Sequence, residues 1–221
     1  MAFSDQLLEE GTDIWQAQYD HPFVTELAAG TLDEEAFLFW VEQDYRYLLD
    51  YARTFAIAGT KARLEEHMAG LLGVSHTILG FEMDLHREFA AGYGLTPADL
   101  EAVEKAPTCE AYTNFLVRTA YDRPLPIIAA AIYPCGKGYL DVAANAAALA
   151  VEEHQYTSWI EKYTSDEFHE AVDWMTELVD EMAEVHPGYH DEMEQAFLTS
   201  ARLEHAFWGM CYEQETWETA K

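Results

Sequence analysis

Apolar residues recur along the chain at the three- and four-residue intervals of amphipathic helices, and the alternation typical of half-buried strands is almost absent. Capping signals separate these runs, because Thr31–Glu34 and Thr164–Glu167 have the form of capping boxes and Thr96 precedes a proline suited to a first helical turn. The pattern predicts helices near residues 4–19, 31–59, 63–91, 108–121, 124–150, 152–162, 164–186 and 190–215. Since connections are short and neither a linker nor a repeat is found, we expect an all-α helical bundle forming a single domain over residues 1–221.

The charge balance narrows the range of partners. The chain has 41 Asp and Glu residues but only 12 Lys and Arg, which gives a formal net charge of −29. A chain this acidic is repelled by nucleic acid and by anionic membrane surfaces, so we expect it to bind neither. An acidic excess of this size indicates adaptation to a salt-rich cytoplasm, the alternative being an ordinary acidic protein.

Cysteine usage and the apolar runs indicate the compartment. The sequence contains no run of eighteen apolar residues, so no membrane span is predicted. The N-terminal segment lacks the basic start of a signal peptide. Cys109, Cys135 and Cys211 are odd in number and do not show metal-ligand spacing. We therefore expect a cytoplasmic protein with free thiols.

One helical run carries an unusual interruption. Pro134, Gly136 and Gly138 surround Cys135, and both residue types are costly inside a helix, so a kink or break is predicted there. A cysteine just after a break would lie near unpaired backbone N–H groups, which favour the thiolate. Tyr139 follows one turn later on the same face. The spacing alone leaves two interpretations open, a nucleophile or a buried structural cysteine at a packing kink.

An acidic residue is embedded in an aromatic helix face in the second predicted helix. Asp44, Tyr47 and Tyr51 share a face, with Trp40 one turn before. A carboxylate is costly to bury there unless it binds a partner or a ligand. The alternative interpretation is that Asp44 pairs with a neighbouring Arg or lies at the edge of the apolar stripe.

The last predicted helix repeats this arrangement. Glu204 shares a face with Phe207, Trp208 and Cys211 by the three- and four-residue rule. Such surroundings favour the protonated carboxyl and therefore suit a general acid. The alternative interpretation is a carboxylate satisfied by a core hydroxyl.

The histidines do not form a recognisable metal site. His67, His76 and His86 lie on one predicted helix at spacings that do not share a face. A di-metal carboxylate bundle needs two Glu-x-x-His helices, and that spacing is not found. We therefore expect no metal and no organic cofactor.

These separate features together resemble a known family. The chain is similar to the TenA / thiaminase II (aminopyrimidine aminohydrolase) family, which has the haem-oxygenase-like all-helical fold. The likeness is carried, in chain order, by His21–Val24, Gln43–Leu48, Leu85–Phe89, Pro107–Thr113, Pro134–Tyr139, Trp159–Tyr163 and Glu204–Met210. The presence of Cys135 places the chain with the cysteine-bearing branch of that family.

The resemblance implies a role for each matching residue. Cys135 would be the nucleophile that adds to the pyrimidine ring, and Glu204 would shuttle protons at the ring and the leaving group. Asp44 would hold the aminopyrimidine edge. Tyr47, Tyr112 and Tyr163 would supply hydroxyl groups. Tyr139 would supply a stacking surface.

The resemblance also implies substrate, product and assembly. The substrate would be 4-amino-5-aminomethyl-2-methylpyrimidine or thiamin, and the product hydroxymethylpyrimidine, used in thiamin salvage. Family members are commonly homotetramers. One departure is the Gly-Lys-Gly segment before Tyr139, where relatives often carry bulkier aromatic residues, so the pocket wall and the substrate preference are expected to differ.

Two other functions fit parts of the pattern. A haem-oxygenase-like oxidoreductase would use iron or a redox cofactor and would not need Cys135. A non-enzymatic regulator would bind DNA, which the net charge of −29 opposes.

Overall fold

The regular elements are helices throughout residues 1–150 and 153–219, the part of the chain that the computed structural model describes, and no β-strand occurs there. The α-helices of the described chain are α1 (Phe3–Glu10), α2 (Thr12–Tyr19), α3 (Pro22–Ala28), α4 (Glu34–Lys61), α5 (Glu65–Thr77), α6 (Met83–Gly92), α7 (Pro97–Ala102), α8 (Pro107–Asp122), α9 (Leu125–Leu149), α10 (Thr157–Tyr163), α11 (Asp166–Val185) and α12 (His190–Glu213). A π-helical segment, Ile78–Glu82, joins α5 to α6, and a 3₁₀ turn, Pro187–Tyr189, precedes α12. The all-α prediction is confirmed, and none of the described helices has an apolar stretch long enough to cross a bilayer.

The helix starts follow the capping chemistry of the sequence, with two shifts. Thr96 caps α7 as predicted, and together with Asp99 it forms a capping box. However, Asp33 caps α4 by accepting the Glu35 N–H at 2.9 Å, because the Thr31 N–H is bonded to the carbonyl of Glu26. Ser165 similarly caps α11 in place of Thr164. Short side-chain acceptors one or two residues apart compete for one cap, so the sequence predicts that a cap occurs more reliably than it predicts which residue forms it.

Two predicted helices are divided in the structure, one is added, and one has a different start. The run 4–19 is two helices that meet at Gly11, and the run 63–91 contains the π-helical segment. Pro22 starts a short helix, α3, that the pattern did not predict. The predicted start at residue 152 lies outside the described residues, and α10 begins at Thr157.

The predicted break in α9 is wrong, whereas the alternative, a kink at Pro134, stays a prediction. The helix runs unbroken from Leu125 to Leu149 with Pro134 inside it, so Cys135 does not lie at a new helix start. A proline inside a helix costs about 3 kcal/mol. The preceding Ile127, Ile128 and Ile132 are almost completely buried, and each contributes about 1.5–3 kcal/mol on burial. Packing of this apolar segment therefore outweighs the local penalty.

The described helices form two compact units. The first unit comprises the described residues of Met1–Leu32 and Pro126–Gly209. Within it the Ser4 N–H and hydroxyl both bond to Asp180, at 2.7 and 2.9 Å, and fix α1 against α11. The Trp15 indole N–H donates to Asp141 at 2.9 Å and links α2 to α9.

The second unit comprises the described residues of Asp33–Leu125 and Met210–Lys221. Its core is the buried face of α4, which includes Trp40, Tyr45 and Phe55. The buried Gln43 side chain holds the segment before α8, because it donates to the Glu104 carbonyl at 3.0 Å and accepts the Ala106 N–H at 2.8 Å. The single domain over residues 1–221 stays a prediction.

Candidate active site

Cys135 lies in the first unit on a buried face of α9, with 7% of its surface exposed. The glycines that follow it point in opposite directions, because residues two apart lie on opposite sides of a helix. A side chain at Gly136 would clash with the terminal methyl of Met175 on α11. Gly138 lies three residues after Cys135 and is its neighbour on the same face.

Glu204 borders that same face of α9. Its side chain is 1% exposed, and a Cβ atom built on Gly138 would lie 3.7 Å from Glu204 Cγ. Because Cys135 and Gly138 share a face, the thiol and the carboxyl-bearing side chain of Glu204 lie on one side of α9. Two of the residues that the sequence singled out therefore occur together within the first unit.

An aromatic cluster adjoins this face. The Tyr139 ring, one turn after Cys135, lies 4.8 Å from Tyr163 and 5.0 Å from Trp208, centroid to centroid. Trp159 packs on Tyr163 at 4.9 Å, and all four rings are buried. Tyr139 and Trp208 each lie one turn after Cys135 and Glu204 on their helices, and Tyr163 packs on Tyr139.

A histidine pair lies at the start of α3 in the same unit. His21 Nδ1 accepts the Phe23 N–H at 3.1 Å, and the His205 ring stands perpendicular to it at 5.5 Å. Burial, and then the charge of His205, lowers the pKa of His21 to about 4. His21 is therefore neutral near pH 7 and caps the helix through its unprotonated nitrogen.

Replacing His21 by asparagine should flatten the acid side of the stability curve. The folded wild type excludes a proton that the unfolded chain binds below about pH 6.5, so its stability falls as the pH falls from 6.5 to about 4. Asparagine keeps a cap acceptor but does not titrate. Urea unfolding at pH steps across this window measures the difference, and an equal loss in both proteins would contradict the assignment.

The second unit holds Asp44, and its partner is a histidine. The Asp44 carboxylate lies 2.7 Å from His86 Nε2, and His86 Nδ1 lies 2.9 Å from the carbonyl of Glu82. Asp44 is 3% exposed and His86 is fully buried. The sequence-based alternative, an arginine partner for Asp44, is replaced by this pair between α4 and α6.

Both ring nitrogens of His86 face acceptors. A neutral imidazole has only one N–H, so only the doubly protonated ring can donate to both acceptors. Burial alone would lower the pKa of His86, but the hydrogen bond and charge of Asp44, together with Glu82, raise it above its ordinary value of 6.5. The two acceptors therefore favour an imidazolium at His86 that donates to Asp44 and to the Glu82 carbonyl. Sequence reasoning did not assign His86 this role, although Leu85–Phe89 is one of the matching motifs.

Two further predicted site residues adjoin each other in the second unit. The ring of Tyr47, one turn after Asp44 on α4, lies 4.9 Å from Tyr112 on α8 and 5.4 Å from Tyr51. Tyr47 and Tyr112 are 2% and 1% exposed. The predicted set is thus divided, with Asp44, Tyr47 and Tyr112 in the second unit and Cys135, Tyr139, Tyr163 and Glu204 in the first.

Cys109 has the character of a structural thiol. It is fully buried on α8 and donates to the carbonyl of Gln43 at 3.5 Å. Burial raises its pKa far above that of an ordinary thiol. It is therefore held protonated, and it is a poor nucleophile.

The described side chains do not offer a metal site. No three histidine, cysteine or acidic groups within residues 1–150 and 153–219 are placed to hold one ion. The expectation of a site without metal or organic cofactor stays a prediction.

Comparison with known proteins gives one consistent result. The profile described as "TENA/THI-4/PQQC family" matches residues 8–214. A protein of Halalkalibacterium halodurans named aminopyrimidine aminohydrolase is 37% identical over 220 residues, which cover 98% of each chain. The structure of a TenA homologue from P. horikoshii superposes with a TM-score of 0.90 at 28% identity, covering 96% of this chain and 99% of that one.

A more distant structure identifies the fold. A domain from Shewanella denitrificans, described as having a heme oxygenase-like fold, superposes with a TM-score of 0.75 at 14% identity and covers 95% of this chain and 92% of its own. The predicted haem-oxygenase-like fold class is therefore confirmed.

Proposed function

Because the chain belongs to the TENA/THI-4/PQQC family, we propose that it is an aminopyrimidine aminohydrolase of thiamin salvage that uses Cys135 as its nucleophile. Its substrate is 4-amino-5-aminomethyl-2-methylpyrimidine, with thiamin as a second substrate, and its product is the hydroxymethylpyrimidine. The observation that carries the proposal is the position of Cys135 and Glu204 on one side of α9. A nucleophile with a proton-transferring neighbour is what this substitution requires.

The proposed reaction exchanges an amine for a hydroxyl in two stages. The Cys135 thiolate adds to a carbon of the pyrimidine ring, and the ring electrons then expel the amine from the methylene carbon as Glu204 protonates it. Water adds to that carbon and gives a proton to Glu204, and loss of the thiolate restores the aromatic ring. Each of these two stages has a lower activation barrier than a single direct displacement of the amine by water.

The remaining residues are proposed to bind the ring. Asp44 accepts hydrogen bonds from the exocyclic amine and a protonated ring nitrogen, and the His86 imidazolium holds its carboxylate in place. Tyr139 offers a stacking face, and the buried residues Tyr47, Tyr112 and Tyr163 offer their hydroxyls as hydrogen-bonding groups. An aminopyrimidine offers an exocyclic amine, ring nitrogens and a planar face, which are the counterparts that these proposed roles require.

The direct test is an incubation with aminomethylpyrimidine and, separately, with thiamin in about 1 M salt, where charge repulsion is screened within roughly 3 Å. We expect hydroxymethylpyrimidine as the product, detected by chromatography with mass spectrometry. If neither compound is turned over, the proposal is refuted. Iron in the purified protein, with activity that survives loss of Cys135, would favour the oxidoreductase instead.

We also propose a homotetramer, and the surface of α5 and the π-helical segment supports self-association. Residues 67–81 contain no charged side chain, although the chain is strongly acidic. Met68, Leu72, Leu79 and Phe81 are nevertheless 40–51% exposed. A symmetric contact places the same surface on both sides, so a face without charge lets an acidic chain associate with itself without repulsion at the contact.

Replacing Leu72 by glutamate should therefore dissociate the assembly. The new charge would oppose its own copy across a two-fold contact, and it would be costly to bury without a partner. Light scattering after size exclusion in about 1 M salt should give four chains for the wild type and fewer for the variant. Val185→Glu, which adds the same charge at another exposed apolar position, is the control and should keep the wild-type mass. An unchanged mass for Leu72→Glu would contradict this surface.

A further inference from the structure

Gln18 is a buried polar side chain of the first unit that the proposed reaction has not yet used. It lies near the end of α2 and is fully buried. Its Oε1 accepts the Trp208 indole N–H at 3.1 Å. Because an indole nitrogen can only donate, this contact fixes which end of the amide is oxygen. The other end is therefore the NH₂ group.

That NH₂ group is a donor that the fold does not satisfy. Gln18 Nε2 is buried and has no hydrogen-bond partner among residues 1–150 and 153–219. Buried polar groups are almost always paired, so an exception in a native fold points to a function. A ligand that offers an acceptor would complete the amide.

The Gln18 amide and the Glu204 side chain both lie close to Gly138. A Cβ atom built on Gly138 would lie 3.5 Å from Gln18 Oε1, 4.0 Å from Gln18 Nε2 and 3.7 Å from Glu204 Cγ. These are ordinary van der Waals distances, so the amide and the Glu204 side chain border one methyl-sized position. That position lies on the α9 face that carries Cys135.

An atom held by both groups must accept from an amide N–H and donate to a carboxylate. Ring nitrogens that accept have no proton to donate, and the protonated leaving amine has no lone pair to accept with. Water and a hydroxyl group do both. Once the amine has departed, the participants in the proposed reaction that meet this requirement are the incoming water and the hydroxyl of the product.

We propose that Gln18 donates Nε2–H to the oxygen of the water that replaces the leaving amine, and so aligns that water between itself and Glu204. The inference depends on the proposed function and adds a residue that selects and positions the second reactant.

The variant Gln18→Glu tests this role with little change of shape. It keeps the acceptor for Trp208 but replaces the NH₂ donor with a carboxylate oxygen, which cannot donate until it is protonated. We expect kcat near pH 8 to fall by on the order of 10²-fold, as for loss of one aligned donor, with a smaller change in KM. The deficit should narrow as the pH falls towards about 5 and the new carboxyl gains a proton. Gln16→Glu, an exposed position on the same helix, is the control and should follow the wild-type pH profile.

Gly138→Ala provides an independent second readout. The added methyl fits sterically, and alanine is favoured over glycine inside a helix, so the melting temperature should rise. The same methyl displaces the proposed water, so kcat should fall by about tenfold or more. Opposite changes in stability and turnover are not expected from a merely structural residue.

The outcomes separate this inference from the proposed function. An active wild type with a Gln18→Glu profile equal to that of the control at every pH, or a fully active Gly138→Ala, would overturn the role of Gln18 and leave the aminohydrolase standing. A wild type that releases no hydroxymethylpyrimidine would overturn the proposed function, and this role with it.

Discussion

A Cys135→Ser variant is expected to lose turnover of aminomethylpyrimidine by about 10³-fold or more while it keeps its fold. A serine hydroxyl is far less acidic than a thiol, and nothing in the unbroken α9 places a helix start beside it. The oxygen replaces sulfur at a buried position with little change in volume. Steady-state product release measures the loss, and an unchanged melting temperature shows that it is chemical.

Cys109→Ser is the matched control for this substitution. It removes a second buried thiol, and the new hydroxyl can still donate to the Gln43 carbonyl. We expect activity within a few-fold of the wild type. If Cys135→Ser kept more than about a tenth of the activity, or if Cys109→Ser lost activity to the same extent, the nucleophile would be wrongly assigned.

Local chemistry predicts much of this fold because it acts within one turn of helix. The Thr96 cap depends on a side chain and an N–H three residues apart, so the sequence contains the whole interaction. The unbroken α9 does not follow the same rule. Pro134 is tolerated because isoleucines before it are buried by distant parts of the chain, which single-sequence patterns do not contain.

The same distinction applies to the candidate residues. Asp44 stands out in the sequence because it interrupts an aromatic helix face, whereas its partner His86 is 42 positions away and comes from another helix. Asking whether histidines share a face within one helix could not identify that pair. The role proposed for Gln18 could not be predicted from the sequence, because a neutral amide in a helix has no distinctive sequence pattern. Only the structure shows its unsatisfied donor beside Gly138.

Replacing Asp44 by alanine should have the largest effect on binding, a loss of about 10²-fold or more in affinity for the aminopyrimidine. A charged acceptor facing two donors contributes roughly 2–5 kcal/mol when it is buried. The substitution also strands the His86 imidazolium, and breaking a buried pair costs about 3–5 kcal/mol of folding free energy. Titration calorimetry with the product measures the first effect, and urea unfolding measures the second.

Asp44→Asn separates these two effects. Its amide oxygen still accepts from His86, so we expect most of the stability to return, while the missing charge keeps binding weak. In the wild type the raised pKa of His86 adds stability that is complete below its ordinary value of 6.5 and is lost as the pH rises through the raised value. The asparagine variant should lose most of this alkaline decline, because the charge of Asp44 is gone and only Glu82 still raises the pKa. Affinity equal to that of the wild type would remove Asp44 from the binding site, and an identical pH dependence would remove His86 from the ion pair.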